Sequence, residues 1–135
     1  MFKKITIYSD GGARGNPGPA ACGVVIKDEA AKVISEHSRY LGNATNNQAE
    51  YNGVILGLEE ALKLKTEEVF FYLDSELAVN QLNQKYKVKN LELQSLFVKI
   101  WNLSQKFKKV SYKHIPREMN KAADRLVNRE LDRQK

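Results

Sequence analysis

The order of hydrophobic patterns along the chain is the feature that most limits its fold. Three stretches with strand-like composition come first, at residues 3–9, 20–28 and 32–41. The first two are separated by a cluster of turn-forming residues from Gly11 to Pro19, and the second and third by a short polar stretch. Because short turns connect neighbouring antiparallel strands, we expect an antiparallel meander.

Helices and strands alternate in the rest of the chain. Helical spacing and polar breaks predict helices over residues 46–64, about 75–84, 91–105 and 118–133. Strands are predicted at residues 69–73 and 109–114. The continuous apolar run VFFYL at 69–73 is typical of a strand buried on both faces. The sequence therefore predicts an α/β fold with a mixed sheet, because helical crossovers join parallel strands.

Length and composition predict one domain over residues 1–135 with a nucleic-acid partner. The formal net charge is +6, which favours an anionic partner, although composition alone is weak support. No apolar run approaches the roughly 18 residues of a membrane span, so no membrane partner is expected. The single cysteine, Cys22, allows no internal disulfide, and a cytoplasmic protein is the simplest interpretation.

Two aspartates occupy strand ends. Asp10 is placed at the end of the first strand, and Asp74 directly follows the apolar run. Ligands of open α/β sheets bind outside the carboxyl ends of the strands, so both positions are candidates for chemistry. The alternative is structural, because an aspartate also opens turns and caps helices, and Asp74 precedes Ser75 and a predicted helix.

Two further carboxylates lie on predicted helices. Glu50 shares a helical stripe with Gly53 and Gly57, whose small size suggests a helix lying close against the sheet. A glutamate on such a face is costly without a partner. Asp124 lies near the start of the last helix. For both residues the alternative is an acid placed to compensate the helix dipole.

Convergence of these four carboxylates would require a cation. Like charges in one crevice repel each other, and divalent metal is the simplest compensation. Oxygen ligands favour Mg²⁺ or Mn²⁺ over zinc. Two such ions about 3.5–4 Å apart can bind the attacking water and the leaving oxygen of a phosphodiester.

Four segments of the chain resemble ribonuclease H of type 1. They read YSDGGARGNPGPAACGVVI, TNNQAEYNGVILGLEEAL, FYLDSELAVNQL and HIPREMNKAADRLVN, in the order of the family. The resemblance implies a ribonuclease H-like fold, with a five-stranded mixed sheet and helices on both faces. It implies that Asp10, Glu50, Asp74 and Asp124 hold two Mg²⁺ ions, with Mn²⁺ able to substitute. The reaction would cut the RNA strand of RNA–DNA hybrids, leaving 5′-phosphate and 3′-hydroxyl ends.

The resemblance also assigns substrate contacts. Gly11, Asn16, Asn47 and Gln48 match positions that contact the minor groove, where 2′-hydroxyls mark the RNA strand. Thr45 matches a residue that holds a phosphate of the DNA strand. Helix capping is the structural alternative for this TNN segment.

His114 has two interpretations. It lies ten residues before Asp124, the spacing of the family's mobile histidine, which is associated with proton transfer or product release. That histidine usually lies in a glycine-containing loop, whereas His114 directly follows a strand, so a structural role is the alternative. Arg117 or Glu118 could occupy the same space.

One departure from many bacterial members concerns the region after the second predicted helix. Only the short segment Gln84–Asn90 stands where they carry a long basic helix and loop. Its lysines either contact phosphates or form a solvated turn. The shortened form leaves double-stranded RNA as a further candidate substrate. Trp101 is predicted to be a core residue, and the protein a monomer. The alternative function is a nucleic-acid-binding module of the same fold with little turnover.

Overall fold

The computed structural model describes residues 1–135 as one sheet with helices on both faces. The elements are β1 (Phe2–Ala13), β2 (Gly18–Lys27), β3 (Val33–Ala44), α1 (Asn46–Lys63), β4 (Thr66–Leu73), α2 (Glu76–Leu82), α3 (Leu91–Ser104), β5 (Lys109–His114) and α4 (Lys121–Arg133). The strand order is β3-β2-β1-β4-β5. The first three strands are antiparallel, and β4 and β5 extend the sheet in parallel, which confirms the predicted α/β class. None of the helices combines the length and apolar content needed to cross a bilayer.

β1 is longer than its hydrophobic pattern predicts. It continues through Asp10 to Ala13, so the placement of Asp10 at the strand end was wrong. The turn-forming residues remain in the strand because they pair with β2, where Asp10 faces Gly23. Parallel pairing with β4 stops earlier, at Ser9 and Leu73. Asp10 and Asp74 therefore both directly follow the last residues of the β1–β4 pairing, as the site prediction requires.

The main core lies between the sheet and α1. Ile5 and Ile7 of β1 face α1 together with Val69 and Phe71 of β4, and all four are at most 1% exposed. The helix α3 packs against α1. Every second residue of β1 and β4 thus contributes to the core, because successive side chains of a strand point to opposite faces.

The helix α1 approaches β1 to backbone contact. A Cβ at Gly11 would lie 2.2 Å from the carbonyl carbon of Ala49, and one at Gly53 would lie 2.6 Å from Oγ of Ser9. The predicted close packing of the glycine stripe is confirmed. This contact brings the second turn of α1, and with it Glu50, against the end of β1.

The opposite face of the sheet is covered in part. The helix α4 packs on β1, β2 and β3, with Leu126 lying against Gly23. Phe70 and Tyr72 of β4 point to this face and are partly exposed, so the prediction of a strand buried on both faces was wrong. The alternation between buried and exposed positions is hidden because β4 carries apolar side chains on both faces. The second face stays open because α4 packs on β1, β2 and β3 at the other end of the sheet.

Trp101 is also misassigned by periodicity. It is 48% exposed, whereas the buried residues of α3 are Leu93 and Ile100. These two residues lie one heptad apart and define the narrow stripe that α3 presents to the core. Trp101 follows Ile100 directly and so lies about 100° around the helix from it, outside that stripe.

The contact at Gly11 generates a stability prediction. Gly11→Ala should lower the free energy of unfolding by at least about 1–3 kcal/mol, because its Cβ would overlap backbone atoms that cannot rotate away. Urea denaturation measures the loss. Gly12→Ala is the matched control, since its nearest neighbour is 3.8 Å away. Equal stability of the two variants would contradict the contact.

Candidate active site

Three carboxylates from three elements converge at the end of the parallel strand pair. Asp10 comes from β1, Glu50 from α1, and Asp74 from the residue after β4. Each contributes an oxygen, and these oxygens all lie within 4.8 Å of one another. Asp10 and Glu50 are buried, and Asp74 is partly buried. The structure thus brings together three of the four carboxylates that the sequence singled out.

Local structure removes two of the structural alternatives. The side chain of Ser75, not Asp74, caps α2 by accepting a hydrogen bond from the backbone N–H of Ala78. Glu50 lies beyond the first turn of α1, which contains no acidic residue. Neither helix capping nor compensation of the helix dipole therefore explains these two carboxylates.

The cluster is electrostatically strained without a cation. Burial raises the pKa of Asp10, and the negative charge of Asp74 raises it further. Burial and the charge of Asp10 hold the pKa of Glu50 well above its ordinary value. Oε1 of Glu50 accepts a hydrogen bond from the backbone N–H of Gly11 at 3.3 Å, whereas buried Oε2 has no partner. An unpartnered carboxylate oxygen beside two other carboxylates fits a hard divalent cation.

Asp124 faces the same crevice from the opposite side. It lies in the first turn of α4, is exposed, and stands outside the cluster formed by Asp10, Glu50 and Asp74. The crevice has a volume of about 470 Å³ and carries all four carboxylates with two arginines, Arg14 and Arg117. Acidic groups therefore outnumber basic ones along its walls.

Asn120 supports the cluster and was missed as a site residue. Its Nδ2 donates to the backbone oxygen of Ser9 at 2.9 Å and to Oδ2 of Asp74 at 3.0 Å. The residue is 1% exposed and directly precedes α4. It thus joins β1, Asp74 and the helix that carries Asp124. The sequence carries no local signal for these partners, which lie far away along the chain.

The TNN segment forms a rigid wall beside the carboxylates. Thr45 caps α1, accepting from the backbone N–H of Gln48 at 3.1 Å, while Oε1 of Gln48 accepts from the backbone N–H of Thr45 at 2.8 Å. Nε2 of Gln48 donates to Glu92 of α3. The structural alternative is therefore present, and it fixes the predicted contact residues Thr45 and Gln48 in one capping box.

The turn between β1 and β2 is tied to this wall. Oδ1 of Asn16 accepts from the backbone N–H of Asn46 at 3.0 Å, and Oδ1 of Asn46 accepts from that of Ala13 at 2.9 Å. Gly11 and Asn47 line the crevice itself. Of the other predicted contact residues, Asn16, Thr45 and Gln48 are joined to the start of α1 by these hydrogen bonds but do not line the crevice.

His114 lies apart from the crevice lining. It is exposed at the end of β5, paired with Leu73 in the sheet. Arg117, three residues later in a short 3₁₀ turn, lines the crevice instead. Of the residues that the sequence offered for this position, Arg117 therefore has the most direct access to the carboxylates.

Comparisons with known proteins agree with this architecture. A family model described as reverse transcriptase-like matches residues 8–130. The N-terminal RNase H domain of Rv2228c from Mycobacterium tuberculosis is similar, with 42% identity and a TM-score of 0.93 over 96% of this chain and 94% of that structure. LC11-RNase H1, solved in complex with an RNA/DNA hybrid, has 44% identity and a TM-score of 0.92 over 96% and 98% of the two chains.

The extent of these matches differs with the length of the relative. The chain spans 36% of the full bifunctional protein Rv2228c, which it matches over 130 residues. The ribonuclease H of Chlorobium phaeobacteroides is 33% identical, and the match covers 97% of each chain. Agreement along nearly the whole length of such relatives means that this chain belongs to the ribonuclease H family, and within it to type 1.

Proposed function

We propose that the chain is an endoribonuclease that hydrolyses the RNA strand of RNA–DNA hybrids. The observation that carries the proposal is the cluster of Asp10, Glu50 and Asp74, with the unpartnered Oε2 of Glu50 inside it. A module that only binds nucleic acid gains nothing from clustered carboxylates beside a polyanion, which argues against the binding-module alternative. The hybrid bound to the similar LC11-RNase H1 supports this choice of substrate.

Asp10, Glu50, Asp74 and Asp124 would hold two Mg²⁺ ions, with Mn²⁺ able to substitute. When bound, the ions supply a nucleophilic water at neutral pH and stabilise the charge on the leaving oxygen. In-line attack on the phosphate would leave 5′-phosphate and 3′-hydroxyl ends. The carboxylates supply oxygen ligands, and the amide of Asn120 orients Asp74. Arg117 can pair with a phosphate oxygen at the edge of the crevice.

The minor groove and the DNA backbone would be contacted by Gly11, Asn16, Thr45, Asn47 and Gln48. The backbone of Gly11 lines the crevice, and amides both donate to and accept from 2′-hydroxyls. His114 is proposed as an auxiliary group only, because it is exposed beyond the crevice lining. The exposed lysines of Gln84–Asn90 are proposed to contact phosphates.

Because the segment Gln84–Asn90 is short, the substrates can include duplexes other than hybrids. We propose a side activity on double-stranded RNA, which shares with the hybrid an A-like shape and 2′-hydroxyls. We further propose that the protein acts as a monomer in the cytoplasm. Cutting of labelled hybrid, double-stranded RNA, single-stranded RNA and double-stranded DNA of one sequence, with Mg²⁺, Mn²⁺ or chelator, tests the substrate range. Absence of cutting by a protein that still binds hybrid would favour the binding-module alternative.

Neutralising one carboxylate should separate cleavage from binding. Asp10→Asn is expected to lower hybrid cleavage by about 10³-fold or more, because several kcal/mol of metal-dependent stabilisation is lost. Hybrid binding should remain, since the variant has one negative charge fewer facing the phosphates. Single-turnover cleavage and fluorescence anisotropy measure the two quantities. His114→Ala should lose far less activity than Asp10→Asn.

The matched control is Glu36→Gln, which neutralises an exposed carboxylate on β3. It should cut hybrid at the rate of the unmodified protein. Normal cleavage by Asp10→Asn would refute the metal site.

Metal and charge neutralisation should both stabilise the fold. In chelator, Asp10→Asn is expected to raise the melting temperature by a few °C, because it removes one of three mutually repelling carboxylates. Mg²⁺ should raise the melting temperature of the unmodified protein, and that of the variant by less. Differential scanning calorimetry gives both values. A variant less stable than the unmodified protein in chelator would mean that the carboxylates do not repel each other.

Removing the Asn120 amide should weaken metal binding while leaving all four carboxylates in place. Asn120→Ala is expected to weaken Mg²⁺ affinity by about 10–100-fold, because Asp74 loses the group that orients it. Cleavage rates over a Mg²⁺ titration measure the shift. Asn102→Ala, at an exposed position of α3, should leave the titration unchanged. Recovery of full activity at high Mg²⁺ would identify a positioning role, whereas an unshifted titration would exclude it.

A further inference from the structure

The face of the sheet that α4 leaves open carries three aromatic side chains. Tyr8 of β1 lies opposite Tyr72 of β4, with ring centroids 5.2 Å apart, and Phe70 occupies the preceding row of the same face. All three are partly exposed. We call Tyr8, Phe70 and Tyr72 the aromatic sheet face. The rings lie beside a hollow of about 360 Å³, which Lys4 and Lys27 also line.

Lysines accompany these rings. Nζ of Lys27 lies 4.7 Å from the centroid of Tyr8, and Nζ of Lys109 lies 5.6 Å from that of Phe70. Lys113 is the sheet neighbour of Tyr72 on β5. Each ring therefore has a lysine in its own row or directly above it. None of these three lysines forms a salt bridge with a carboxylate.

The acidic groups of this face lie at its margin. Glu68 belongs to the row beyond Phe70, between Lys4 and Lys109. Asp28 accepts hydrogen bonds from the backbone N–H groups of Ala30 and Lys32 and is committed to the turn after β2. Glu29 lies beside it at the edge of the hollow. Tyr8 and Tyr72 share one row, in which the acidic side chain is Glu36 of the edge strand β3, two strands away from Tyr8.

This combination matches the chemistry of an unpaired nucleotide strand. Flat rings on an open sheet stack against bases, and each stacked base contributes about 1–3 kcal/mol regardless of sequence. Lysines beside the rings can neutralise the phosphates that join successive bases. An apolar protein partner would instead require a surface free of lysines at its centre.

We propose that the aromatic sheet face, with Lys27, Lys109 and Lys113, binds single-stranded nucleic acid by stacking its bases. The site is separate from the hybrid-cleaving crevice and does not depend on the function proposed above. The two are close, since Tyr8 and Tyr72 precede Asp10 and Asp74 by two residues, about 7 Å along a strand. An unpaired flank of a hybrid would thus have a place to bind beside the crevice.

Binding of a labelled single strand tests the proposal directly. The probes are oligodeoxythymidylate and oligouridylate of about 12 nucleotides, within the range that such surfaces cover, in chelator at low salt. The two arms distinguish a DNA flank from an RNA flank. Phe70→Leu and Tyr72→Leu, which keep apolar volume without a ring, should each weaken binding by about tenfold. Failure of both probes to bind the unmodified protein would overturn the proposal.

Paired lysine variants separate this face from general positive charge. Lys109→Gln with Lys113→Gln should weaken binding and reduce the salt slope by about 1.4, or about 0.7 for each phosphate contact. Lys99→Gln with Lys106→Gln is the matched control, with the same charge change at exposed positions on and after α3. Equal effects of the two pairs would mean non-specific attraction and would overturn the proposal.

Crosslinking of the unmodified protein avoids any doubt about folding of the leucine variants. A single strand containing 5-iodouracil is irradiated with the protein, and the attached residue is identified by mass spectrometry. Attachment to Tyr8, Phe70 or Tyr72 is expected. Attachment confined to the residues of the crevice would show that the strand binds there and would refute a second site.

Discussion

The backbone contact between β1 and α1 is the constraint on which the rest of the molecule depends. At Gly11 the two elements meet so closely that no side chain fits between them. The same contact delivers Glu50 to Asp10 and lets Gly11 donate its N–H to Glu50. This close backbone packing holds like charges together, an arrangement that favours a bound cation.

The carboxylate cluster could be predicted from the sequence because its members violate local patterns. Glu50 lies in a stripe of small residues that should be buried, and Asp74 places a charge directly after an apolar strand. Asn120 breaks no such rule. Its partners, Ser9 and Asp74, lie 111 and 46 residues away, so its role exists only after the sheet and α4 have assembled. Asp124 was found, but its distance from the other three could not be known before the tertiary structure.

The errors about β4 and Trp101 have one physical origin. Hydrophobicity shows that a side chain can be buried, but it does not require burial. Aromatic side chains with polar neighbours are often partly exposed. An apolar run with aromatics on alternate positions is compatible with a strand buried on one face or on both. Which of these occurs depends on where α4 crosses, and α4 is fixed by contacts with β1, β2 and β3. The open face of Phe70 and Tyr72 is therefore a product of helix placement.

The capping box of α1 would influence where the proposed substrate strand is cut. Thr45 and Glu50 belong to the same rigid helix start, five residues apart, which corresponds to about 7.5 Å of helical rise. If Thr45 holds a phosphate of the DNA strand, as proposed, that phosphate is separated from the carboxylates by this fixed helical rise, with no flexible joint between them. Because the helix is rigid, the distance between the scissile bond and the phosphate held at Thr45 would stay constant.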